Sequence, residues 1–181
     1  MSPGSLLIAD PSVIGDNNFH RSIILLVEHD HNGSFGFIIN NPLNYTTNDI
    51  TIEMEYDFPL YYGGPVDQEN LFFVHKMGNL IPNSLQIQND LYWGGDFKKT
   101  ISLVNNKQLN VNDIKFFLGY SGWSPNQLNS EIESKSWIVK KNSNSSEIFR
   151  NKSKSLWSKK MKELGGDFIL WSNSPENPYE N

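Results

Sequence analysis

The segment Gly119-Tyr120-Ser121-Gly122-Trp123 is where this chain comes nearest to a nucleophile motif. A serine elbow between strand and helix reads Gly-x-Ser-x-Gly and, in the usual chain order, is followed by a histidine. Here the last position is Trp123 and the final histidine is His75, so that relay is absent. The segment reads better as a tight turn, packed by Tyr120 and Trp123, closing a strand onto a helix. The free amides of that helix would form a generic site for a phosphate or carboxylate. No catalytic residue is assigned. The alternative, an enzyme processing a small phosphate- or carboxylate-bearing molecule at this turn, requires a base within reach of Ser121.

Glu28, His29, His31 and His75 have metal-ligand chemistry, and histidines two apart on a strand share a face. His31 falls in a turn, however, and no third ligand has a fixed spacing, so neither metal nor other cofactor is expected. His75 closes the apolar run Leu71-Phe72-Phe73-Val74 and is expected to hydrogen-bond within the chain. Tyr61-Tyr62-Gly63-Gly64-Pro65-Val66 carries the glycines of a phosphate loop, but no lysine, serine or threonine follows at the required spacing. It reads as a turn where another segment, or a ligand, approaches the backbone closely.

Charge is distributed unevenly. Residues 135–162 hold nine basic residues and one acid, a net of +8, whereas the rest carries −13 within a total of −5. Lys152, Lys154, Lys159, Lys160 and Lys162 could track phosphates. No recognition signature accompanies them, and the acidic total argues against direct nucleic-acid binding. The lysine face is expected to dock on the chain's own acidic half or on an acidic partner.

The elements that must position these residues are strands first, helices later. Ser5–Ala9, Ser22–Glu28, Phe35–Asn40 and Leu71–His75 are near-continuously apolar runs bounded by turn formers, the signature of strands buried on both faces. His29–Gly33 makes a hairpin turn in which Asn32-Gly33 supplies positive φ. Asp96 caps a helix with Phe97, Ile101 and Val104 on one side. Ile114–Leu118 is a buried strand, Ser124-Pro125-Asn126-Gln127 starts a helix continued by Leu128 and Ile132, and Trp137–Lys140 is a further strand. A last helix spans Lys154–Leu164, with Trp157, Met161 and Leu164 on one side and Gly165-Gly166 as the stop. The class is α+β.

With 181 residues the chain fits a single domain, 1–181, large enough to fold without disulfide or metal. The absence of cysteine excludes thiolate catalysis and cysteine-bound zinc. The longest aliphatic run, Ile23–Val27, is far shorter than the ~20 residues of a membrane span. No basic leader precedes Leu6–Ala9, so a soluble, cytoplasmic protein without a membrane role is expected.

Several of these motifs occur together in one family. Leu7-Ile8-Ala9, the run Asp16-x-x-Phe19-x-Arg21-Ser22 continuing through Ile23–His29, and Gly33–Asn40 with Pro42 closely resemble the opening of the AlgH/YqgE family. The resemblance continues through Tyr62–Val66, Phe73-Val74-His75, Gly119–Ser124 with Gln127, Leu128 and Glu131, then Leu156-Trp157, Leu164-Gly165-Gly166 and the tail Asn173–Pro178. It implies an α+β fold with a branched mixed β-sheet curled into a pseudo-barrel and helices packed outside. It also implies a regulatory role, since the family is labelled as transcriptional regulators, and supplies no catalytic residue or cofactor. Two positions depart from the family pattern: some members have a cysteine near Val27, and Trp123-Ser124 stands where Trp-Gly is common. The expected role is a non-enzymatic protein binding a small ligand or a protein partner. Its site is expected where the motifs converge: Glu28, His29, Asn40, Gly63, Gly64, His75, Ser121, Trp123 and Gln127.

Overall fold

The structure is a computed structural model describing residues 1–142, 144–149 and 155–174. Its strands are β1 (Leu6–Ala9), β2 (Ile23–Asp30), β3 (Gly33–Ile38), β4 (Pro42–Thr46), β5 (Pro59–Tyr62), β6 (Val66–His75), β7 (Leu85–Gln88), β8 (Leu91–Trp93), β9 (Ile114–Trp123) and β10 (Trp137–Lys140). The helices are α1 (Thr47–Ile50), α2 (Phe97–Asn105), α3 (Gln127–Glu133), α4 (Ser146–Phe149), α5 (Leu156–Leu164) and α6 (Phe168–Ser172). Strands lead and helices follow, the expected α+β arrangement. Asp96 caps α2 by accepting from the Lys99 amide, and Gly165 ends α5 at φ +75°. For the last expected helix, the start at Lys154 lies outside the described residues, as do Lys152 and the end of the tail.

One sheet joins the strands in the order β10-β1-β2-β3-β9-β6-β8-β7, with β4 and β5 off this path. Its branch point is β9. The N-terminal part of β9 pairs in parallel with β5 through Phe116–Leu118, while the C-terminal part pairs antiparallel with β3 through Ser121–Trp123. The other edge of β9 is taken by β6 along most of its length. The sheet therefore splits, as the resemblance implied, and it does not close by strand pairing. Its two ends nevertheless approach: Gln88 Nε2 at the end of β7 donates to the Asn142 carbonyl after β10 at 3.1 Å, and Ser145 Oγ donates to Asp90 Oδ2 at 3.0 Å.

The curl encloses a core drawn from distant parts of the chain. Leu6, Ile8, Leu25, Phe37, Phe117, Ile87 and Leu91 pack with Trp157 and Met161 of α5. Trp157 Nε1 donates to the Ala9 carbonyl at 2.8 Å, pinning α5 across β1. A second cluster places Ile101 and Val104 of α2 against Phe116 and Leu60 on the opposite side of β9. Lys115 lies buried in β9 with its ammonium donating to the carbonyls of Ile39 and Ile148, at 2.8 and 3.1 Å, and 3.6 Å from the centre of the Tyr61 ring. Burial pushes this amine down to about 7.

Strands β4, β5, β7 and β8 have no counterpart in the sequence reading, and two segments that it did read take another form. Gly119–Trp123 is not a turn: β9 runs straight through it to Trp123. The glycines permit this, because Gly119 adopts φ +70° and the Gly63-Gly64 backbone passes against it. A Cβ on Gly63 would collide with the Gly119 carbonyl, and one on Gly64 with the Tyr120–Ser121 peptide. The helix after Trp123 starts at Gln127, later than Ser124-Pro125 indicated, since Asn126 takes the left-handed conformation (φ +64°). The Ser124 hydroxyl is not its cap; instead the Ser124 amide donates to Gln127 Oε1 at 2.9 Å.

A methyl group at Gly63 has no space that side-chain motion can supply, because the obstruction is backbone. Gly63→Ala is expected to destabilise the fold by about 3 kcal/mol, lowering Tm by roughly 10 °C. Thermal unfolding followed by circular dichroism tests this, and an unchanged Tm would contradict the close packing of β5 on β9.

Candidate functional site

An open cleft of about 510 Å³ lies at the mouth of the curled sheet, bounded by the β2–β3 hairpin, β6, β8 and the end of β9. Phe35, Phe72, Trp93 and Tyr120 form its apolar wall and continue the main core outward. Phe35 meets Trp93 edge to face at 5.0 Å between centroids and Tyr120 at 5.7 Å; Tyr120 meets Phe72 at 5.6 Å. These T-shaped contacts lock the rings against one another, so the wall is preformed. Glu28, Asp30, Asn32, Gly33, Ser34, Gly122 and Trp123 complete the lining.

The cleft exists because of local backbone detail. A register shift between Leu26 and Glu28 marks a bulge at Val27, after which Glu28 pairs with Phe35 and Asp30 with Gly33. Cross-strand partners share a face, so the bulge turns Glu28 and Asp30 to the side of the Phe35 ring. On β9, Gly122 lies opposite Phe35 and carries no side chain, while Tyr120, two residues earlier, stands on the same face. Bulky residues flank a gap that Gly33 and Gly122 leave open. In the hairpin turn only Gly33, at φ +141°, has positive φ; Asn32 does not share it, because its amide is held by Asp30 Oδ1 at 2.7 Å.

The residues expected to form a site are distributed as follows. Glu28 and Trp123 line the cleft. His29 lies beside it, its Nδ1 2.7 Å from the hydroxyl of Ser34. Asn40 borders a smaller polar hollow of about 160 Å³ with Asn17, Asn18, His20 and Arg21. There it mimics a strand, accepting from the Ile23 amide at 2.7 Å and donating to the Arg21 carbonyl at 2.9 Å. Gly63 and Gly64 pack against β9 from behind. Ser121 is completely buried and donates to the Gly63 carbonyl at 3.1 Å, an anchor for that packing and not an exposed nucleophile.

Gln127 sits on α3, donating to Glu131 Oε1 at 2.9 Å. The other oxygen of Glu131 accepts from the indoles of Trp123 and Trp137, at 2.8 and 2.7 Å. Through Gln127 this carboxylate reaches back to the first residue of α3 and adds negative charge there. Glu131 stands in the family-like motif, but its clamp on two tryptophans far apart in sequence had no separate signal.

His75 is fully buried between β6 and β8, away from the cleft. Its Nε2 lies 3.2 Å from the Gly94 carbonyl and 3.0 Å from Ser84 Oγ, while its Nδ1 accepts from the Met77 amide at 3.1 Å. These partners suit a neutral ring protonated on Nε2. Burial lowers its pKa to about 4. Among the described residues no group of three or more histidines and carboxylates could hold a metal ion.

Of the lysine-rich segment, Lys152 and Lys154 lie outside the described residues. Lys159 and Lys160 pair with Glu147 at 2.9 and 2.6 Å, and Lys160 also with Glu163 at 3.1 Å. Lys162 is exposed. The pairing is intramolecular but local, with carboxylates of the same C-terminal region and not with the acidic half of the chain. Not expected as site residues were Asp30, Phe35 and Tyr120, which lie within the family-like motifs or beside them, and Phe72 and Trp93, which reach the cleft from β6 and β8. For the last two the only hint was the aromatic-glycine string Tyr92-Trp93-Gly94-Gly95.

Comparison with known proteins gives a consistent neighbourhood. A family model described as AlgH-like matches residues 6–169. A UPF0301 protein of Cytophaga hutchinsonii is 38% identical over 183 residues, covering 100% of both chains. One of Parabacteroides distasonis is 39% identical, over 98% of this chain and 90% of its own. The fold superposes on a crystal structure from Corynebacterium diphtheriae with a TM-score of 0.76 at 23% identity, covering 96% and 93% of the two chains. It also matches the solution structure of the AlgH protein from Pseudomonas aeruginosa, with a TM-score of 0.74 at 22% identity over 96% and 94%.

Because the native His75 ring resists protonation, the unfolded chain binds one more proton once pH drops below about 6.5. The contribution of neutral His75 to stability is complete above pH 6.5 and is lost as pH falls from 6.5 towards 4. Denaturant unfolding of the wild type and His75→Gln across this window should show their stability difference shrinking by about 3 kcal/mol. A difference independent of pH would contradict the buried neutral ring.

Proposed function

The chain belongs to the AlgH-like family, and we propose that it works as a non-enzymatic regulatory binding protein of the cytoplasm, through the aromatic cleft. The observation that carries this is the cleft itself: about 510 Å³, walled by four interlocked aromatic rings and rimmed by polar groups. That volume lies in the range of small-molecule sites, and the mouth of a curled sheet is a common place for one. Glu28 and Trp123, and His29 beside them, belong to the proposed site; Asn40, Gly63, Gly64, His75, Ser121 and Gln127 would support the strands that frame it.

A binding role fits better than catalysis because the one serine in a nucleophile-like motif is sealed beneath the strand crossing. Binding of DNA through the lysine segment has less support. Lys159 and Lys160 already face Glu147 and Glu163, and the chain carries a net −5. No helix among the described residues is long and apolar enough to cross a membrane.

The test is a titration of the 15N-labelled protein with aromatic fragments, followed by amide and indole resonances. Shifts are expected to cluster at Glu28, Ser34, Phe35, Trp93, Tyr120 and Gly122. Trp93→Ala should weaken the best fragment about tenfold, the effect of removing one stacking wall worth ~1.4 kcal/mol. Fragments that bind only elsewhere, or bind Trp93→Ala equally well, would refute the cleft as the working site.

A further inference from the structure

The chemistry lining the cleft selects among ligand classes. Among the described residues its charged groups are the carboxylates of Glu28 and Asp30, both exposed at the rim, and no lysine, arginine or histidine lines it. Behind them stand the rings of Phe35, Phe72, Trp93 and Tyr120. An aromatic ring presents a negative face to a cation, and a tryptophan or tyrosine does so most strongly. A carboxylate anion entering the same space would meet two like charges and, among the described lining residues, no cation.

From this we propose that the cleft is a receptor for a small organic cation, an ammonium or guanidinium group joined to a compact apolar body. The apolar body would lie against the aromatic wall, and the cationic group would sit between the ring faces and the two rim carboxylates. The inference rests on the cleft being the working site and names the class of molecule that fills it.

Further details fit this assignment. Asp30 is fixed before any ligand arrives, since its Oδ1 accepts from the Asn32 amide at 2.7 Å and its Oδ2 from Asn32 Nδ2 at 3.4 Å. These bonds, with the nearby His31 ring, hold its carboxyl below the usual range, so it stays ionised at neutral pH. Glu28 is brought to the same side by the bulge at Val27, although simple alternation from the buried Val27 would place it on the opposite face. The bulge thus assembles two carboxylates and an aromatic wall on one surface. Gly122, opposite Phe35, keeps the floor open; a Cβ there would come within 3.2 Å of the Tyr120 ring.

Three probes of similar size separate the possibilities: phenethylammonium, phenethyl alcohol and phenylacetate, each titrated at millimolar concentrations and followed by the Trp93 and Gly122 resonances. The ammonium is expected to bind at least about tenfold more tightly than phenylacetate, with the alcohol between them, and added salt should narrow the gap. The variant E28Q/D30N keeps an oxygen acceptor for the Asn32 amide and thus the turn. It should bring the three probes to within about threefold of one another while the alcohol binds as before. Equal binding of all three to the wild type, or a preference that survives E28Q/D30N, would overturn the cation assignment while leaving the cleft as a site. Failure of all three to move cleft resonances would overturn the cleft reading and the assignment with it.

Discussion

Everything in this fold leans on the threefold partnership of β9. A strand has two edges, and β9 fills one with β6 while dividing the other between β5 and β3. That division is possible because Gly119 adopts φ +70° and the Gly63-Gly64 backbone lies against the strand there, closer than any side chain would allow. Ser121 closes the junction with its bond to the Gly63 carbonyl. Two hydrophobic clusters then grow on opposite sides of this strand, one around Phe117 and one around Phe116. Consecutive residues of a strand point to opposite faces, so a fully apolar strand is what two cores require.

The cleft is a consequence of the same junction. The sheet curls until Gln88 of β7 bonds the main chain just after β10, yet among the described residues no ladder seals it, and the interior opens at the hairpin end. At that end the core residues are aromatic and half-buried, and no further layer covers them among the described residues. In a closed barrel this surface would be filled. Here glycines at positions 33 and 122 leave the space empty, and the bulge at Val27 brings charge to its rim. Large preformed apolar surfaces next to ionised groups are costly to leave exposed, which gives such a surface physical meaning as a binding site.

Charge elsewhere is handled locally. The strongly basic stretch near the C-terminus draws on Glu147 and Glu163, the latter just past the boundary that makes that stretch look so unbalanced. The pairs of the exposed Lys159 contribute little to stability, whereas Lys160 is buried against Glu147, and all of them reduce the field that phosphates would feel. The buried Lys115 is a different case. It satisfies its ammonium with two carbonyls and the face of Tyr61, tying β9 to the strand end at Ile39 and to α4. Nothing in an alternating apolar pattern reveals such a residue, because the lysine occupies a position that β-strand periodicity assigns to the core.

The sequence by itself determined the α+β class, most of the strand positions, the caps of α2 and α5, and the family. These are properties of contiguous residues: β-branched runs, an Asp at a helix start, a Gly at a helix end, motifs in fixed order. Where a reading depended on the neighbours of a segment, the sequence was insufficient. Gly119–Trp123 looked like a turn because glycine marks turns and close approaches alike, and only the passage of β5 alongside decides between them. The members of the aromatic wall, Phe35, Phe72, Trp93 and Tyr120, lie on four different strands. No spacing rule connects residues whose contact arises from long-range pairing. Likewise, the side to which Glu28 points was set by a one-residue bulge, and one residue is enough to exchange the faces of a strand. The chain's local chemistry thus chose the elements, and the branching of the sheet at β9 chose which side chains meet.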